Sequence, residues 1–117
     1  MIEAPDLSDL DPREAKRITV EYLTTLRKTR SRREELRREF ERWEERHRLA
    51  SERGESDLAA EAMSRARATV EEHEQLGTEE RELEVVVDTL RKQLRMLEGA
   101  PRRNVDADGL LESIEHV

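Results

Sequence analysis

The chain has 117 residues and a net charge of −7, with 44% charged residues against 34% apolar ones and a single Phe, Trp and Tyr. That allows one domain, but it cannot enclose a broad globular core and supplies only narrow apolar seams between helices. The absence of cysteine excludes disulfides, thiolate chemistry and cysteine-ligated zinc. No apolar run approaches the roughly 18 residues of a membrane span, and no signal-peptide pattern opens the chain.

Residues 1–10 read as an N-terminal extension. The first strong signal is the LDPRE stretch at 10–14: Asp11 is a capping residue, Pro12 suits the first helical position, and Glu14 stands where a capping box places its acid. A first apolar stripe follows through Ile18, Tyr22, Leu26, Thr29, Leu36, Phe40, Trp43, His47 and Ala50, in steps of three and four with one gap of seven. Beyond Gly54 a second stripe runs through Leu58, Ala62, Ala66, Thr69, His73, Leu76, Glu80, Leu83, Val87, Leu90, Leu94 and Leu97. It stops at Gly99-Ala100-Pro101, a glycine and proline spacing that ends helices.

Gly54 is either a weak point in one helix or a reversal. If the chain reverses there, residues whose numbers sum to about 109 should meet. Ala50 then meets Ala59, Trp43 meets the small Ala66, Leu36 meets His73, Leu26 meets Leu83 and Tyr22 meets Val87, so both stripes stay in register. Charge agrees: residues 27–38 balance to +5 and residues 71–82 to −5, and these blocks oppose one another only in the reversed chain. The expected fold is all-α: a long antiparallel two-helix coiled-coil hairpin over residues 11–98, with its turn near 53–56. Gly77 lies in the polar middle of the second arm, where a kink or local flexibility is one outcome.

At the open end the apolar surface widens, with Val20 and Leu23 on the first arm and Val85, Val86 and Leu90 on the second. Residues 99–117 read as a turn and a short C-terminal helix in which Leu110, Leu111, Ile114 and Val117 keep helical spacing. That helix, with Leu7 and Leu10 helping, could cover the open end. Alternatively the open end is a dimer interface.

Candidate chemistry is sparse. His47 and His73 occupy seam positions well apart, His116 lies in the tail, and a metal site needs three or four converging ligands. A di-iron site would need a second Glu-x-x-His copy to match Glu44 and His47. No glycine-rich phosphate loop and no Ser/His/Asp set is present. The expectation is a non-enzymatic protein with no catalytic residue, no cofactor and no metal. The basic run TLRKTRSRREELRR at 25–38 could contact phosphates, but the acidic block opposite neutralises it, so nucleic acid is not the favoured partner.

The tip residues Trp43, Leu49, Ala50, Gly54, Asp57, Leu58, Ala59, Ala62 and Met63 resemble the hairpin tip of the phage-shock-protein A (PspA) family. That family includes the plastid vesicle-inducing proteins and is related to ESCRT-III. Glu82-Leu83-Glu84 with the spacing from Val87 to Leu97, and Asp11-Pro12 upstream, extend the likeness over about residues 11–98. The resemblance implies stress-response proteins that polymerise and remodel membranes. Set against the resemblance, the first arm reads as about two turns or more shorter than the family's. MIEAPDLSDL carries Glu3, Asp6 and Asp9 and no basic residue, unlike a helix that lies on anionic lipid.

Three readings follow. The first is a PspA-like hairpin that self-associates or binds a family partner, cytoplasmic or peripheral at the inner face of the membrane. The second is a stand-alone dimeric adaptor without a membrane role. The third is a weak nucleic-acid binder through residues 27–38. The residues expected to carry interactions are the tip set Trp43, Ala50, Gly54, Asp57, Leu58, Ala59 and Ala62. The open-end set is Val20, Leu23, Val86, Leu90, Leu110, Leu111 and Ile114.

Overall fold

The computed structural model describes residues 2–99, and within them the chain is two long helices with no strand. Helix α1 spans Pro12–Glu52 and helix α2 spans Ser56–Gly99. The expected short C-terminal helix, with Leu110, Leu111 and Ile114, lies outside the described residues.

Local chemistry sets the boundaries. Asp11 Oδ1 accepts the Glu14 N–H at 3.0 Å and the Asp11 carbonyl accepts the Ala15 N–H at 3.0 Å, so Asp11 is the N-cap ahead of Pro12. Only half of the capping box forms, because the Glu14 carboxylate pairs with Arg17 on the next turn instead of reaching back. At the other end Gly54 takes φ +70°. Its N–H bonds the Ser51 carbonyl at 3.2 Å, and the Glu55 N–H bonds the Ala50 carbonyl at 2.9 Å. These two bonds are the Schellman closure of a helix around a left-handed residue. The Glu55 carbonyl then accepts the Ala59 N–H at 3.0 Å and opens α2, so three residues reverse the chain.

No neighbour lies within 4 Å of a Cβ built on Gly54, so a side chain there meets only backbone strain. Gly54→Ala is expected to cost about 1–2 kcal/mol, with helix content unchanged, measured by chemical denaturation followed by circular dichroism. Asn, which tolerates the left-handed region, should cost less.

The helices pack within two units, each with its own interior. In the first, formed by residues 2–28 and 80–99 among those described, the core is Leu7, Ala15, Leu23, Leu26, Leu83, Val86, Val87, Leu90 and Leu94. Thr19 is fully buried there, its hydroxyl donating to the Ala15 carbonyl at 2.8 Å. Ile18 and Tyr22, expected at the centre of the seam, are half-buried at its edge. The centre line is Ala15, Thr19, Leu23 and Leu26, because α1 faces two neighbours here, α2 and the N-terminal segment carrying Leu7.

The second unit, residues 29–79, has a thinner interior of Thr29, Leu36, Ala50, Ala59, Ala62, Ala66 and Thr69. Leu58, expected to open the second stripe, is 55% exposed, while Ala59 is 8% exposed. Just past so short a turn the backbones are close, and the inward positions take alanine.

Gly77 does not interrupt α2. A Cβ there would stand 3.1 Å from Arg33 Nη2, and Arg33 Nε donates to the His73 carbonyl at 3.3 Å. The glycine therefore makes room for a guanidinium laid along the helix backbone. Gly77→Ala alone is expected to be near neutral, since about 1 kcal/mol of helix propensity offsets the displaced arginine. In an Arg33→Ala background the same change should gain about 1 kcal/mol of unfolding free energy, seen as a higher denaturation midpoint.

Candidate functional site

Two surfaces hold the residues singled out in the sequence. The first is the tip, within residues 29–79. Trp43 is half-buried, with the Arg46 guanidinium 4.6 Å and that of Arg65 5.4 Å from its ring centroid. Both distances are those of cation–π contacts. Trp43, Leu49 and Leu58 line a groove of about 350 Å³ rimmed by Arg46 and Arg53 as well as Glu55 and Glu61. A second groove of about 370 Å³ is lined by Phe40, His47, Met63, Ala66 and Val70. Both follow from the alanines of α2, which fill little volume beside Phe40 and Trp43. Of the tip set, Ala50, Ala59 and Ala62 are buried, Trp43 is half-buried, and Gly54, Asp57 and Leu58 are exposed.

The two histidines of this unit make structural contacts. His47 Nδ1 donates to the Ala59 carbonyl at 3.0 Å, and His73 Nδ1 accepts from Arg33 Nη2 at 3.5 Å. Among the described residues no three His, Asp or Glu side chains converge to hold a metal ion.

The basic run is engaged with carboxylates. Arg32 Nε bonds Glu72 of the other helix at 2.9 Å, and Arg32 Nη1 contacts Glu35 at 3.2 Å and Glu39 at 3.4 Å. These partners raise the Arg32 pKa, Glu72 most. Arg37 and Arg38 both reach Glu34. Each exposed pair contributes little stability, but together they engage three of the guanidiniums of the run, Arg32, Arg37 and Arg38.

The second surface is the open end, within the other unit. Leu23, Val86 and Leu90 are 5%, 1% and 0% exposed, and Val20 packs half-buried against them. Leu23, Val86 and Leu90 are interior, in one buried cluster with Leu7. Gln93 holds that segment: its Oε1 accepts the Leu7 N–H at 2.7 Å and its Nε2 donates to the Pro5 carbonyl at 3.0 Å. Leu7 and Leu10 carried a hint of this cover in the sequence, whereas Gln93 carried none, since its partners lie 86 and 88 residues away.

Glu98, also in this unit, is 6% exposed, and among the described residues neither carboxylate oxygen has a hydrogen-bond partner. Burial pushes its carboxyl above the usual range, with Lys16 opposing. The folded chain thus holds this proton more tightly than the unfolded chain. Stability from this group is greatest below the ordinary glutamate pKa and declines as pH rises through the raised folded value. Glu98→Gln should remove that decline, leaving the variant more stable than the parent at pH 7 and equal to it near pH 4, by urea denaturation at both.

Residues 8–101 match the PspA/IM30 family. The chain belongs to this family. The matched segment begins just before the Asp11 cap and ends just past Gly99, so both PspA/IM30-type helices and the Gly54 turn fall inside it. No curated protein and no solved structure matches the chain. None of its described helices is long and apolar enough to cross a membrane.

Proposed function

We propose that this PspA/IM30-family hairpin is a non-enzymatic coiled-coil protein that acts by self-association or by binding another family member, in membrane stress or membrane remodelling. The observation that carries this reading is the family match across both helices and the turn. The surface supports it: Leu58, Val70, Val85 and Met96 are between 39% and 73% exposed, although apolar side chains are scarce in this chain. Exposed apolar side chains at helical positions suit contact with another helix. The tip set belongs to this reading as a face for a partner helix, while Leu23, Val86 and Leu90 of the open-end set are buried within their own unit.

The adaptor reading differs in having no tie to family polymers or lipid. Mixing the purified chain with a full-length family member, with and without anionic vesicles, separates the two. Co-sedimentation with the polymer, weakened by Trp43→Ala, is the expected result. A chain that stays in the supernatant in every mixture contradicts family partnership, and sedimentation with vesicles alone assigns the membrane as the direct partner.

A further inference from the structure

Val85 is 67% exposed and Met96 73% exposed, and both stand on α2 in the same packing unit. They are eleven residues apart, close to three full turns, and so share one face. Thr89 and Lys92, both exposed, fill the turns between them. The opposite side of α2 sends Val86, Leu90 and Leu94 into the core, so this stripe faces away from it.

Charge along the stripe is divided. Glu82, Glu84 and Asp88 outnumber Arg81 around its N-terminal half, Asp88 also reaching Arg91 of its own helix at 3.8 Å, and Lys92 and Arg95 stand in its C-terminal half. A second α2 laid parallel would set Asp88 on Asp88 and Lys92 on Lys92. Laid antiparallel about the midpoint of the stripe, it sets Val85 against Met96 and acidic half against basic half.

We propose that this stripe is where two copies of the chain meet, with their α2 helices antiparallel about a two-fold axis crossing between Leu90 and Arg91. The proposal rests on the self-association reading and gives it a surface. Val85 packs on Met96 of the second copy twice, once on each side of the axis, as an isologous contact requires. Thr89 packs on the methylene stem of Lys92 of the second copy. Asp88 faces Lys92 of the second copy, and Glu84 faces Arg95 of the second copy. Two valines and two methionines make a small apolar centre, below the roughly 800 Å² per partner of a standard interface. The dimer is therefore a weak one whose orientation is set by the charges, and added salt weakens it.

The chain has no cysteine, so engineered thiols report the geometry without background. Val85→Cys and Met96→Cys variants are prepared separately and tested for oxidative cross-linking alone and mixed, with helix content checked by circular dichroism. A covalent dimer in the mixture, at least five-fold above either variant alone, is expected, because like positions lie about 16 Å apart along antiparallel helices. Cross-linking of either variant with itself overturns the proposal in favour of parallel pairing. No cross-link from a chain whose parent light-scattering mass exceeds one chain overturns this surface and leaves self-association standing. A monomeric parent overturns both. A monomer whose Met96→Cys thiol reacts slowly with a soluble reagent also overturns it, and assigns the stripe to residues 100–117 of the same chain.

Discussion

Leu90→Ala is expected to lower the unfolding free energy by about 2–5 kcal/mol, seen as a lower denaturant midpoint with an unchanged slope. Leu90 is 0% exposed, in the cluster with Leu7, Leu23, Leu83, Val86, Val87 and Leu94. Alanine is the better helix former, so the loss reports packing rather than propensity. In a chain with 34% apolar residues there is little spare volume nearby to collapse into the cavity. Val85→Ala, one helical residue from Val86 but on the outer face, should stay within about 0.5 kcal/mol. Equal effects at the two positions would mean that α2 is rotated from the orientation described.

The second large effect concerns the segment ahead of α1. Leu7 is 0% exposed though it belongs to neither helix, and its backbone is held by the Gln93 amide. Leu7→Ala is expected to cost about 2–5 kcal/mol. Gln93→Ala should cost about 1–3 kcal/mol, because it leaves the Leu7 N–H without its acceptor. The two residues secure one segment, so once either is lost the other has less to hold. The double variant should therefore cost less than the sum of the singles, with a coupling of about 0.5–3 kcal/mol. Additive losses in the double-mutant cycle would show that the segment does not act as a unit.

The fold was legible where local chemistry decides it. Asp11-Pro12 starts α1 and Gly54 reverses the chain because capping and a left-handed backbone need particular residues at particular positions. Periodicity located both seams but not their exact centres. Leu58 and Ala59 differ by one residue in their claim on the seam, and close backbone approach after the turn, invisible in a hydrophobic pattern, selects Ala59. The same ambiguity separates Val85 from Val86: a continuous Val-Val-Val run cannot say which side chain is inside. Gly77 read as a weak point in α2, yet it accommodates Arg33 from the other helix.

The candidate site was less legible than the fold. Trp43 stood out as the lone tryptophan, but its arginine neighbours come from two helices, and only Arg46 is close in sequence. The open-end leucines and valines read equally well as a core or an interface. Among the described residues Leu23, Val86 and Leu90 are buried in one cluster with Leu7, which Gln93 holds from far along the chain.

The proposed self-association of this PspA/IM30-family chain has a simple physical readout. Light-scattering mass across a hundred-fold range of concentration at low salt tests it most directly. The expected result is a mass above the 13.8 kDa of one chain that rises with concentration and falls on adding salt. A mass fixed at one chain throughout would rule self-association out and leave binding to another family member as the mode of action.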